Sequence, residues 1–345
     1  MCQLAAYVGS RSIAPLLLES LKLQQAYIGA HATGLAVINE RGIEMVKGVG
    51  HVDHVRRTTS IDNLSGTAGI AHSRHSMNIV RDPKYNVQGG VHPWLVNDGS
   101  YAFMHNGVLV NHLEFYEDLK KRHSFTSYIP ELDHVTDTEI AAVMLGEAIQ
   151  TGSNVEEALR YIIHQLLGTI LYGVVSRESP HTVWLANLYQ PCYVGVGEDE
   201  AMFCSSRLGF KPLEDDLTIF QPPKNSLIKL TPGNVEIERL TSRHLPDLWI
   251  DPTRMEEHVV RLLREKGERD SIYLIKKLLK RGFREVLGLT DEAWNRLLRD
   301  GWDGDGQFVE AMEWLAERGV VEKMLRYTDE SGVPGTPRVY WSLNE

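Results

Sequence analysis

The stretch Thr169–Ser206, TILYGVVSRESPHTVWLANLYQPCYVGVGEDEAMFCSS, reads as four strands in a row: TILYGVVSR, TVWLANLY, CYVGVG and AMFCSS. Two more apolar runs, TIFQP and SLIKLTPG, continue the series to Gly233. Immediately before it stand three helical segments. NHLEFYEDLKKR is the first. TDTEIAAVMLGEAIQTG is the second, with Thr136 and Glu139 spaced for a capping box, and VEEALRYIIHQLLG, ending at Gly168, is the third. Earlier still come short strands: Cys2–Val8, the hairpin GLAVINERGIEMVKGVG turning at Glu40-Arg41-Gly42, GTAGIAHSR, and GSYAFMHNG, which ends at its own polar tip. The helix SIAPLLLESLKLQQAYIG interrupts them, with Gly29 as its stop. Strands, helices and strands thus alternate in blocks. That pattern predicts an α+β fold of layered antiparallel sheets with segregated helices, not a doubly wound parallel sheet.

A second unit is expected beyond a compositional change near 245–255. MEEHVVRLLREKG, SIYLIKKLLKRGF, DEAWNRLLRDG and GQFVEAMEWLAERG read as helices. VVEKMLRY, the turn TDESGVPGTP and RVYWSL close the chain as a hairpin. The expected division is 2–245 and 255–345, the latter a small helical unit of winged-helix type. Trp294, Trp302 and Trp314, with Phe308 and Leu315, are its expected core.

The 345 residues carry a formal net charge of −10, which argues against a nucleic-acid or anionic-membrane binder. The basic stretch Arg261–Arg284, with KKLLKR at its centre, is interrupted by acidic residues and reads as the solvated face of helices. Three cysteines without metal-ligand spacing, Cys2, Cys192 and Cys204, suit a reducing compartment. No leader and no apolar run of membrane-spanning length are visible, so a cytoplasmic location is expected. His51 with His54 and His72 with His75 have no acidic or cysteine partner nearby and read as surface histidines, not a metal site. DGWDGDGQ fails the calcium-loop pattern and reads as a tight turn.

Four short stretches carry chemistry as a group. Trimming of Met1 would leave Cys2 first, with its thiol and a free α-amino group on one residue. Arg74 ends a strand in AHSRHSMN, Asn106-Gly107 sits in HNG, and Asp137 opens a helix in TDTE. Singly, each has an ordinary use: a small apolar residue opening a strand, a solvated arginine, a turn, a complement to a helix N-terminus. Together they meet a chemical requirement. The α-amine, with a pKa of about 7.7–8.0, takes the thiol proton. The thiolate attacks a carboxamide to form a thioester, and the Asn106 amide and Gly107 N–H stabilise the oxyanion. Arg74 suits an α-carboxylate and Asp137 an α-ammonium. The substrate that fits is glutamine.

The chain resembles the class II (N-terminal-nucleophile) glutamine amidotransferases, most closely the glutaminase domain of glutamine–fructose-6-phosphate aminotransferase. The likeness rests on Cys2, GAHATGLAV, GIAHSRHS, HNGVLVNH and TDTEI, in this order. It implies a four-layer αββα sandwich, a catalytic Cys2, an oxyanion hole from Asn106 and Gly107, and glutamine held by Arg74 and Asp137 with His75 and Ser76 beside them. Met77 and Ile28 depart from the family pattern. No cofactor is expected. No phosphosugar-isomerase domains and no Walker-type loop follow the glutaminase-like region. The expected function is therefore a glutamine-hydrolysing subunit, homo-oligomeric, delivering ammonia to a separate synthase. The alternatives are a glutamine sensor of weak activity and a DNA-binding regulator acting through the C-terminal unit.

Overall fold

The computed structural model describes residues 2–344, apart from 28–29, 241–250, 279–281, 300, 303 and 331–332. Strand β1 (Gln3–Val8) runs through the middle of the first sheet, between β4 (Ala68–Arg74) and β10 (Ala201–Cys204). It is buried on both faces. Leu4, Ala6 and Val8 point to one core, and Ala5 and Tyr7 to another, as the two-residue period of a strand requires. β2 (Ala32–Asn39) and β3 (Gly42–Val49) form the expected hairpin, and β9 (Tyr193–Val196) and β11 (Thr218–Phe220) complete the opposite edge. The order is β11-β9-β10-β1-β4-β2-β3.

The second sheet runs β13-β12-β8-β7-β6-β5. Its strands are β5 (Trp94–Val96), β6 (Tyr101–Leu109), β7 (Gly168–Ser176), β8 (Ser179–Leu188), β12 (Ser226–Thr231) and β13 (Asn234–Arg239). Every neighbouring pair of described strands in the two sheets is antiparallel. Ala102, Met104, Leu171 and Val175 face β1 and β4 across the inter-sheet core, where Cys2 also lies. The other faces are covered by helices. α1 (Ile13–Gln25) and α2 (Val52–Thr58) cover the first sheet; α5 (Asp137–Gln150) and α6 (Val155–Gln165) cover the second. The result is four layers: helix, sheet, sheet, helix. Short helices α3 (Met77–Arg81) and α4 (His112–Leu119) flank the ends of β4 and β6.

After residue 250 come α7 (Pro252–Lys266), β14 (Arg269–Asp270), α8 (Ser271–Lys277), α9 (Phe283–Leu287), α10 (Asp291–Arg299), α11 (Asp305–Glu317) and the long hairpin β15 (Val321–Glu330) and β16 (Val333–Leu343). The three strands order β14-β16-β15. This part docks on the sandwich through main-chain and ring contacts. Val339 N donates to Ala26 O at 2.7 Å, Trp341 lies 6.0 Å from the Tyr27 ring, and Gln307 Nε2 donates to Tyr189 O at 3.3 Å. No described helix is long and apolar enough to cross a membrane.

Several local expectations need correction. α1 ends at Gln25, because Gln24 and Gln25 turn inward onto buried partners; Gly29 and Ile28 lie outside the described residues. Thr136 is the N-cap of α5 without a side-chain bond, and no capping box forms, because the Glu139 carboxylate that would return to the N-cap is taken up by Thr126 N, Thr126 Oγ1 and Ser127 N. The capping box sits on α6 instead, between Asn154 and Glu157. β6 continues through HNG to Leu109. In SIYLIKKLLKRGF, α8 covers Ser271–Lys277 and α9 begins at Phe283; Leu278 and Gly282 keep helical backbone, and 279–281 lie outside the described residues. The terminal hairpin strands reach Glu330 and Val333, so the turn is shorter than ten residues. Trp314 is only partly buried against the core that holds Trp294, Trp302, Phe308 and Leu315. His51, His72 and His75 are buried, not surface groups. The expected boundary near 245 lies among residues 241–250, outside those described.

Candidate functional site

Three strands and one helix bring the chemical residues to one rim, so side chains far apart in sequence meet there. Cys2 precedes β1, Arg74 closes the adjacent β4, Asn106 and Gly107 lie near the end of β6 in the facing sheet, and Asp137 starts α5. Cys2, Arg74, His75, Ser76, Asn106, Gly107 and Asp137 all line a single cavity of 790 Å³.

Cys2 is tied from both sides. Its main-chain N donates to Asn106 Oδ1 at 2.7 Å, and its Sγ sits 3.4 Å from both the N and the O of His75. Burial pushes the thiol pKa up, while the His75 N–H and the Arg74 charge pull it back. A thiol in this setting needs a base to become a nucleophile.

Asn106 Nδ2 donates to Gln190 Oε1 at 2.9 Å, and Gln190 is itself locked by a reciprocal pair with Asn187. The two contacts fix which way the Asn106 amide faces. Gly107 has φ +142°, and a Cβ there would stand 1.8 Å from Thr169 O. Only glycine fits. Sequence reading missed Gln190: a glutamine in a strand connection carries no signal until the facing sheets bring it to Asn106. Beyond Gln190 lies a second cavity, of 740 Å³, between the sandwich and α11.

Arg74 is buried, at 5% exposure, and its Nη1 has no partner among the described residues. Burial lowers its pKa, opposed by the Cys2 and Asp137 charges. Gly90 makes room for it, since a Cβ there would meet Nη1 at 2.7 Å. A buried guanidinium without a carboxylate is costly to keep, and its natural complement is an anion that arrives from outside. Asp137 is half-buried and held by Leu109 N at 3.0 Å and Thr138 N at 2.8 Å.

His75 reaches the thiol through its main chain; its ring stacks on His31 at 4.8 Å. Ser76 Oγ accepts from Asn78 N and caps α3. His72 and His92 stack at 3.8 Å, His72 Nε2 meets His105 O, and His105 Nδ1 meets Thr138 Oγ1. Burial lowers the pKa of His72, His75, His92 and His105, so these rings pack as neutral groups. Among the described residues, no cluster of three or more His, Cys, Asp or Glu is placed to hold a metal.

No model of a known protein family matches the chain. Among curated proteins it is similar to glutamine–fructose-6-phosphate aminotransferase (isomerizing) of Acinetobacter baylyi, with 29% identity over 238 residues, 69% of this chain and 36% of that protein. The enzymes of the same name from Thermococcus kodakarensis and Streptococcus mutans are 28% identical, over 238 and 210 residues. They cover 69% and 60% of this chain, and 36% and 32% of those proteins. The chain therefore spans about a third of the length of these relatives. Among solved structures it superimposes on a Bacillus subtilis glutamine phosphoribosylpyrophosphate amidotransferase complexed with ADP and GMP. The TM-score is 0.59 at 17% identity, covering 84% of this chain and 64% of that one, which shows a shared fold. A second structure, described as the allosteric regulatory enzyme of purine biosynthesis, gives 0.58 at 17% identity, with the same coverage of each chain. The resemblance to the class II glutamine amidotransferases, enzymes with an N-terminal cysteine, is borne out.

Proposed function

We propose, from this place among the class II glutamine amidotransferases, that the chain hydrolyses glutamine to glutamate and ammonia through Cys2. The observation that carries the reading is the shared cavity. It brings a buried thiol, a buried guanidinium with an unpartnered Nη1, a fixed asparagine amide and a carboxylate to one place. With Met1 removed, the Cys2 amine takes the Sγ proton, and Sγ bonds to the glutamine carboxamide carbon. The negative charge on the oxygen is met by Asn106 Nδ2 and the Gly107 N–H. Collapse of this intermediate expels ammonia, which carries away the proton, and leaves a thioester that water cleaves to glutamate. Arg74 grips the α-carboxylate and Asp137 the α-ammonium. His75 and Ser76 border the substrate, with the His75 main chain holding Sγ.

The reading extends to a division into a glutaminase domain over 2–245 and a winged-helix-like unit over 255–345, the strand order β14-β16-β15 favouring the latter. It also includes a separate ammonia-accepting synthase and a homo-oligomeric, cytoplasmic protein. A DNA-binding regulator is disfavoured. α11, the helix preceding the hairpin, carries Glu310, Glu313 and Glu317 and lines the second cavity against the sandwich. A sensor of weak activity remains a second reading on one observation: Met77, which lines the cavity, offers no hydroxyl to a substrate carboxylate.

The test is direct. Purified protein should release equal amounts of glutamate and ammonia from glutamine, a glutamine-analogue affinity label should modify Cys2, and Cys2→Ala should lose both. Intact mass showing Met1 retained on active protein would overturn the mechanism. Glutamine binding without turnover, with candidate partners present, would select the sensor.

A further inference from the structure

The run KKLLKR within the basic stretch has no role in the proposed glutamine cleavage, yet its first two residues, Lys276 and Lys277, line the same cavity as Cys2. α8 brings them there. Its first turn is capped by Asp270 Oδ1, which accepts from Tyr273 N at 2.9 Å, and Ser271 Oγ accepts from Trp341 Nε1 at 2.8 Å. Trp341 in turn packs near Tyr27, at the end of α1. The helix is thus pinned over the pocket, and Ile272, Ile275 and Lys276, spaced i, i+3, i+4, form one wall of it.

The charges of that cavity do not balance. Its lining holds four cations, Arg74, Arg81, Lys276 and Lys277, and one carboxylate, Asp137, in a chain of formal net charge −10. Arg81, Lys276 and Lys277 are exposed at the rim and make no ion pair among the described residues; Lys277 only approaches the Tyr273 ring, at 5.4 Å. Bound glutamine is a zwitterion whose two charges are matched by Arg74 and Asp137, which leaves three cations unused. The volume of 790 Å³ is also that of a pocket for a ligand much larger than one amino acid, a range of roughly 300–1,000 Å³.

We infer that Arg81, Lys276 and Lys277 form a second subsite, which holds a small oxyanion-bearing molecule, phosphate or carboxylate, beside the glutamine. The inference rests on the glutamine reading for the roles of Arg74 and Asp137. A predominantly cationic cleft with apolar walls concentrates counter-ions, and the Ile272–Ile275 wall supplies the apolar side. The C-terminal unit then contributes Lys276 and Lys277, and the sandwich contributes Arg81 and the nucleophile, so neither part makes the complete pocket alone.

The experiment is calorimetric titration of the full chain with inorganic pyrophosphate and with citrate at low salt, without glutamine. At least one anion should bind. Lys276→Ala/Lys277→Ala should weaken it tenfold or more, Lys276→Arg/Lys277→Arg should retain it, and added salt should weaken it progressively. Preference for pyrophosphate assigns a phosphorylated ligand, and preference for citrate a carboxylated one. Absence of binding by either anion, or equal binding by the alanine variant, overturns the subsite. Binding by a protein whose Cys2 is not modified by the glutamine-analogue label keeps the anion site and removes the glutamine reading; labelling without anion binding does the reverse.

Discussion

Gln190 holds the amide of Asn106: its Oε1 accepts from Asn106 Nδ2 at 2.9 Å, while Asn106 Oδ1 accepts from Cys2 N at 2.7 Å. One asparagine side chain is thereby oriented by the residue that carries the thiol and by a glutamine on the other side.

That geometry makes Gln190 a positioning residue. Gln190→Ala leaves the Asn106 amide free to turn, so kcat for glutamine hydrolysis should fall about tenfold while KM stays within about twofold. Outright loss of an oxyanion donor costs more, about 10²–10³ in kcat. Steady-state kinetics decide it, and Gln190→Glu, which keeps the acceptor, should retain most activity. A change confined to KM would contradict the assignment.

Arg74 should trade stability for binding. Arg74→Met removes a buried cation whose Nη1 has no hydrogen-bond partner and keeps a long apolar stem, so the protein should be more stable by about 1–3 kcal/mol and melt at a higher temperature. Glutamine hydrolysis should drop at least a hundredfold, through KM first. Calorimetric melting with and without glutamine checks both: the ligand should stabilise the native protein and not the variant.

The buried imidazoles set a pH dependence. His72, His75, His92 and His105 have folded-state pKa values lowered by burial, against about 6.5 in an unfolded chain. Above pH 6.5 both states are neutral at these sites and their contribution is complete. Below it the unfolded chain binds protons that the folded one refuses, so stability falls as pH drops. The slope is about 1.4 kcal/mol per pH unit for each ring still neutral in the fold. Urea unfolding at pH 7, 6 and 5 should show the decline. Substituting His92, whose ring stacks on His72, with Phe should reduce the slope.

Gly107→Ala should abolish activity. The new Cβ would stand 1.8 Å from Thr169 O at φ +142°, a conformation that costs a side chain about 1–3 kcal/mol before any clash. Ammonia release and the melting temperature should both fall, whereas Gly152→Ala, at φ +107° with open space around it and outside the cavity, should lower the melting temperature but leave activity within about twofold of the native protein.

Much of this was legible in the sequence because it depends on local physics. Apolar runs of strand length at 169–206, turn residues between them and helices grouped in blocks suffice to predict layered antiparallel sheets with segregated helices; the four-layer order came from the family resemblance. Cys2, Arg74, Asn106-Gly107 and Asp137 stood out as a chemical group because thiol, guanidinium, amide and carboxylate together match one small substrate. Local signals also misled. Glu139 had the spacing of a capping box, yet Thr126 and Ser127 offer its carboxylate three donors, which outweigh one helix end. His72 and His75 read as surface groups because sequence does not say which strand will cover them.

The sequence by itself determined which segments are strands and helices and which residue types are available for chemistry, since backbone preference and side-chain periodicity act over a few residues. Sheet pairing and packing, not local pattern, bring β1, β4 and β6 to one rim, Gln190 behind Asn106, and Lys276 and Lys277 of α8 into the cavity that holds Cys2. Those relationships join residues up to 275 positions apart, Cys2 to Lys277, and are fixed by sheet pairing and core packing, which no local pattern encodes.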